Sequence, residues 1–164
     1  MLEGLPSFAI SEVCLKCDGC CRFYEPESSW RPRCGKEEIK AIGRPDIIDE
    51  RSYIRAPQSG DKFLCVCLAK DEHCCDIYTK RPFECKVYPF VLMKRGNKIV
   101  LSAHTSCPMV GQHRNTQKFF DYEKQLKEFF ARPEVLDFLR NNKHLAGDYP
   151  GYQEEFEDLF EVKI

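Results

Sequence analysis

The chain has 164 residues, 43% of them hydrophobic, and its 25 basic and 26 acidic side chains leave a formal charge of −1. These numbers allow one ordinary domain with a real apolar core. They exclude wholesale disorder, multidomain machinery and the strongly basic footprint of a nucleic-acid binder.

No apolar run reaches the roughly 18 to 20 residues that span a bilayer. The opening Met1-Leu2-Glu3-Gly4-Leu5-Pro6 lacks the basic and apolar regions of a secretory signal, so a cytoplasmic chain is expected. Against that background 11 cysteines are far too many to be incidental. In a reducing compartment, thiols clustered at short spacings are more often metal ligands than cystines; a disulfide framework, as in intracellular proteins of hyperthermophiles, is the alternative.

In chain order, the first cluster is Cys14-Leu15-Lys16-Cys17-Asp18-Gly19-Cys20-Cys21. Two residues between cysteines let a tight turn aim both sulfurs at one ion, and Gly19 supplies the backbone freedom of such a knuckle. Cys14, Cys17 and Cys20 reproduce the opening of a bacterial ferredoxin run, but Tyr24 stands where its fourth ligand would be. Cys107, followed by Pro108, is a candidate fourth thiolate because it repeats the Cys-Pro ending of that run. The adjacent Cys20 and Cys21 point in different directions, so one of them serves a different centre or packs as a small buried hydrophobe.

Residues 26–35 are broken by prolines and read as a loop, with a short helix expected over 36–42 and a helix or strand over 45–54. Segments 63–69 and 74–78 flank a polar turn and are expected to pair as a hairpin. On it Cys65 and Cys67 share a face, while Cys74 and Cys75 take opposite faces. Residues 82–85 read as a helix start that would present Cys85 from a helical turn, where a thiolate is electrostatically favoured. A second hairpin is expected from 89–94 and 98–103 around Arg95-Gly96-Asn97, the four strands forming one small antiparallel sheet.

Past Cys107 the spacing predicts a helix over 116–131, with Phe119, Phe120, Leu126, Phe129 and Phe130 as core, and a second starting at Pro133. The acidic tail places Phe156, Leu159 and Phe160 at helical spacing. The expected fold class is therefore α+β, a small antiparallel sheet of hairpins with Cys-rich loops and a C-terminal helical segment. It is read as a single metal-binding domain over 1–164, with a Cys-rich core at 14–110 and a helical extension at 115–164.

Soft thiolates select zinc, copper(I) or iron-sulfur clusters, and the scarcity of histidine near the motifs argues against a mixed Cys/His finger. His73 and His104 lie near cysteines and are weighed as further ligands against ordinary satisfied histidines.

The run CxxCxxCC with Arg22, then Cys65 with Leu68, Cys75-Asp76-Ile77-Tyr78, Arg81-Pro82 with Cys85, and Tyr88-Pro89-Phe90 resembles the CxxCxxCC family of zinc- or iron-chelating proteins over about residues 14–110. Cys107 is similar to that family's trailing cysteine. The resemblance implies metal chelation by a pool of Cys14, Cys17, Cys20, Cys21, Cys65, Cys75, Cys85 and Cys107, with Cys34, Cys67 and Cys74 outside it. Eight thiolates suffice for two four-cysteine centres, or for one cluster plus a structural zinc. Flagellin lysine N-methylases are similar in the cysteine motif, yet this chain has no Gly-rich strand-turn-helix signature for a nucleotide or methyl donor.

The leading expectation is a protein holding one or two iron-sulfur clusters of the 4Fe-4S type, with a redox or electron-transfer role and a redox partner protein. In that reading Phe23, Tyr24, Tyr78, Phe83, Tyr88 and Phe90 exclude solvent, and Arg22, Arg81 and Lys86 offset cluster charge. A zinc-stabilised binding module and a cluster-dependent enzyme, such as a protein methyltransferase, are the alternatives. Neither nucleic acid nor a membrane span is expected.

Overall fold

A computed structural model describes residues 2–6, 8, 19–69 and 74–164. Cys14, Cys17 and His73, all weighed as ligands, lie outside the described residues. The described chain is mixed α+β, with two three-stranded antiparallel sheets and five α-helices, and it divides into two compact units. One unit spans Ile10–Lys86; the other combines Leu2–Ala9 with Val87–Ile164.

In the first unit, β1 (Arg22–Phe23), β2 (Gln58–Ser59) and β3 (Lys62–Leu64) form a sheet in the order β1-β3-β2. The β2–β3 hairpin turns at Gly60, whose φ of 64° suits a residue without a Cβ. Helix α1 (Lys36–Ile42) falls where its sequence predicts. The Gly35 N–H donates to Glu38 Oε2 at 2.8 Å, satisfying a donor at the helix start, and Gly43 ends the helix at φ 71°. Residues 45–54 are neither one helix nor one strand: a 3₁₀ turn at Pro45–Ile47 is followed by a bridge between Ile48 and Ile54. Phe23, Ile42, Ile47 and Ile54 fill the core with Cys34, Cys65 and Cys67.

Of the hairpin expected from 63–69 and 74–78, the described residues keep only a short antiparallel contact. Leu68 and Cys75 make one isolated bridge, supported by Ala69 N–H to the Cys74 carbonyl and Asp76 N–H to the Cys67 carbonyl, both 2.9 Å. Tyr78–Lys80 turns as 3₁₀ helix, and α2 (Phe83–Val87) follows. The partners of β3 are instead β1 and β2, so the expected four-stranded sheet is replaced by two separate sheets.

The second unit is built on a longer meander: β4 (Phe90–Arg95), β5 (Lys98–His104) and β6 (Phe156–Glu161), in that order. Gly96, at φ 63°, takes the first position of the two-residue β4–β5 turn. Helices α3 (Pro108–His113), α4 (Gln117–Phe130) and α5 (Pro133–Asn141) lie between β5 and β6. Thr116 caps α4, its Oγ1 accepting the Phe119 N–H, and prolines open α3 and α5. Phe90, Phe119, Leu126, Phe129, Leu139 and Leu145 are almost completely buried, and Phe8 packs edge-on against Phe90 and Phe119.

The tail is a strand, not the helix its spacing suggests. Opposite β5, Leu101 pairs with Phe160 and Ser102 with Asp158, which leaves Leu159 as an extra residue in a β-bulge. The bulge puts Leu159 and Phe160 side by side and shifts the alternation, so a bulged strand carries the apolar spacing of a helix. No helix among the described residues is long and apolar enough to cross a membrane.

Candidate metal centre

Two cysteines of the first unit flank the end of its β1–β3 strand pair. Cys21 directly precedes β1 and Cys65 directly follows β3; the Cys65 N–H donates to the Cys21 carbonyl at 2.9 Å, continuing the ladder that pairs Arg22 with Leu64. The Cys65 side chain interacts with those of both Cys21 and Cys67. Cys65 and Cys67 are buried within the core, and Cys21 and Cys75 pack against it, so this group lies on an apolar wall.

Cys85 is carried by α2. Its short helix is anchored by two carboxylates: Glu38 Oε1 accepts the Phe83 N–H at 2.6 Å, and Glu84 accepts the Arg33 N–H and pairs with its guanidinium, each at 2.6 Å. Glu38 therefore ties the start of α1 to the start of α2. Burial raises the proton affinity of both carboxyls, partly opposed by these donors.

Electrostatics separates the thiols into two kinds. Hydrogen bonding from Cys65, with help from Arg22 and Arg81, overcomes burial and lowers Cys21 from 9.0 to about 7. Cys67 is lowered too, again chiefly by the Cys65 hydrogen bond and then by Arg44. Cys65 is pushed up by donating those hydrogen bonds and by burial, and burial raises Cys75 to about 11. Burial likewise drives Cys85 far up, with the negative charges of Cys21 and Cys75 adding to it. Cys75 and Cys85 hold their protons chiefly because burial penalises the thiolate, with neighbouring thiolates adding to it, and a soft cation offsets both by replacing the protons.

The donor set thus suits a thiophilic metal: it is sulfur, largely withdrawn from water. Among the described residues, no three His, Cys, Asp or Glu side chains are placed to hold a metal ion. The remaining donors of the sequence pattern, Cys14 and Cys17, belong to the part of the chain outside the described residues. Cys20 is exposed beside Cys21. Cys107 belongs to the second unit, where it precedes α3 as its N-cap residue.

Cys67, outside the pool that the resemblance implies, is buried in the same core as Cys65, whose face it shares by the Cys65-Val66-Cys67 spacing. His104 is committed elsewhere, with Nδ1 2.9 Å from the Tyr88 hydroxyl and Nε2 3.0 Å from Glu155 Oε2, so neither ring nitrogen is open to a metal. Cys34 is completely buried in the first unit, and its thiol is held protonated by burial and by Glu38 and Glu84. Of the aromatics expected to shield a cluster, Phe23 and Phe83 are buried, whereas Tyr24 and Tyr78 are largely exposed beside Lys62 and Arg81.

Residues 13–125 match the model of the CxxCxxCC family, described as "Putative zinc- or iron-chelating domain". No curated protein and no solved structure matches the chain at a significant level. The family model covers more than half of the sequence, and the chain belongs to this family.

Proposed function

From its membership of a zinc- or iron-chelating family, we propose that the chain binds an iron-sulfur cluster, of the 4Fe-4S type, and serves as a cytoplasmic redox or electron-transfer protein. The ligands come from Cys14, Cys17, Cys20, Cys21, Cys65, Cys75, Cys85 and Cys107, to which Cys67 is added. One observation supports the reading: Cys21 and Cys65 stand opposite each other at the end of the β1–β3 pair, Cys65 and Cys67 are buried in the apolar core, and Cys21 and Cys75 pack against it.

Sulfur-only ligation suits both a Cys₄ zinc site and an iron-sulfur cluster. The cluster is preferred because the first three cysteines of the pattern, Cys14, Cys17 and Cys20, repeat the spacing that opens a bacterial ferredoxin run. The bound cluster would supply a reversible electron site. The chain's own contribution is to exclude water through Phe23 and the isoleucine core, to set charge through Arg22 and Arg81, and to fix Cys85 through Glu38 and Glu84. A partner protein delivering or removing the electron completes the proposal.

Protein purified without oxygen is expected to be brown and to contain iron and acid-labile sulfide in equal amounts. A colourless protein holding zinc and no sulfide would replace this reading with that of the zinc-stabilised module.

A further inference from the structure

Cys21 and Cys65 face each other across two antiparallel strands. Arg22 pairs with Leu64 and Phe23 with Phe63, and the next step of that register brings Cys21 opposite Cys65, joined by the 2.9 Å backbone hydrogen bond. Directly opposed residues of an antiparallel pair have Cα atoms about 4.5–5.5 Å apart, inside the ~4.4–6.8 Å that a disulfide requires. Opposed residues of such a pair point to the same face, and neither cysteine is bridged to another. Access is unequal: Cys21 is partly exposed, whereas Cys65 is only 7% exposed behind it. Arg22 and Arg81 bring positive charge near the accessible sulfur.

From this cross-strand juxtaposition we propose that, when metal is absent, Cys21 and Cys65 form a thiol-disulfide exchange site that takes small anionic disulfides as its substrate. The inference rests on the reading that both cysteines are metal donors, and it adds a second chemistry to the same atoms. The Cys21 thiolate attacks one sulfur of the small disulfide; its S–S bond breaks, and the first thiolate leaves and takes up a proton. Cys65 then attacks the Cys21 sulfur of the mixed disulfide, forming the Cys21–Cys65 bond and expelling the second thiol, which carries away the Cys65 proton. The protein dithiol is oxidised by two electrons and the small disulfide is reduced to two thiols, so the balance closes with no other reactant. Oxidation removes two donors at once, which makes the cystine and the metal mutually exclusive.

The test uses the full chain, stripped of metal without oxygen, incubated with oxidised glutathione, alkylated and mapped by mass spectrometry. Cys21–Cys65 is expected as the dominant bridge under native conditions and at least about tenfold rarer in urea, where loop closure favours cysteines closer in sequence. Cys65→Ser is expected to accumulate glutathione on Cys21, because the resolving thiol is gone. A dominant bridge elsewhere, such as Cys65–Cys67, would overturn the inference, as would an unchanged pattern in urea or two thiols that remain alkylatable. Zinc alone, titrated into the reduced and oxidised chains, separates the two ideas. Uptake by the reduced chain without the expected bridge would sink only the exchange site. The bridge without uptake by the reduced chain would sink the metal reading, and equal uptake by both chains would sink mutual exclusion.

Discussion

The two units reach order by different routes. The second buries large aromatic and aliphatic side chains between a three-stranded meander and three helices, with Phe90, Phe119, Phe129 and Leu126 at most 2% exposed. The first has strands of two or three residues, a seven-residue helix and a core in which cysteine sulfur stands where larger apolar groups would otherwise be. It also buries ionic groups, Arg33 with Glu84 and Arg31 with Asp49, which cost desolvation before they give anything back. The comparison teaches that apolar burial is enough to organise one unit, whereas the other is arranged around chemistry that protein atoms alone leave incomplete.

The sharpest way to break this contrast is to remove a ligand. Cys21→Ser or Cys85→Ser should abolish most of the iron and sulfide content while leaving amide hydrogens of α4 and α5 protected in hydrogen exchange. Loss of protection throughout the chain would show that the second unit leans on the metal too.

Next in size is the converse experiment. Phe129→Ala should cost about 3–5 kcal/mol in denaturant unfolding, because an aromatic ring is replaced by a cavity. Iron per folded molecule should stay unchanged. Glu84→Gln should follow at about 3 kcal/mol, since it leaves the Arg33 guanidinium buried without its countercharge. It acts on the helix carrying Cys85, so metal should also dissociate faster; an unaltered off-rate would make Glu84 a purely structural anchor.

A smaller effect concerns acid. Burial lowers His104 below its ordinary 6.5, against the pull of Glu155, so His104 is neutral when folded near neutrality. The unfolded chain then binds more protons between the folded and unfolded values, and stability must rise with pH across that window and fall as pH drops below about 6.5. His104→Gln should flatten this part of the pH-stability curve. The least effect is expected from Phe120→Ser, which alters a half-exposed ring on α4 and should change stability by no more than about 0.5 kcal/mol.

Helix α1, the β4–β5 hairpin, α4 and α5 were legible in the sequence because local signals agree there: Gly35 with Glu38, Gly96 at a turn, Thr116 before an amphipathic run, and Pro133 at a helix start. The tail was misread because the Leu159 bulge breaks the strand period. The β2–β3 hairpin escaped notice because Gln58–Ser59 is short, polar and exposed, with nothing in it that alternates. The site shows the same division. Spacing identified the sulfur-rich family pattern, and the local Cys65-Val66-Cys67 alternation was there to be read as well. The anchoring of α2 by Glu38 was not, because it joins residues 45 positions apart. The engagement of His104 by Glu155 likewise crosses 51 positions, beyond the reach of any local pattern.

Iron K-edge X-ray absorption on oxygen-free protein tests the central claim most directly. The account predicts a first shell made of sulfur alone at roughly 2.3 Å, as for thiolate and sulfide ligands, together with an iron-iron vector. A first shell dominated by nitrogen or oxygen would contradict it.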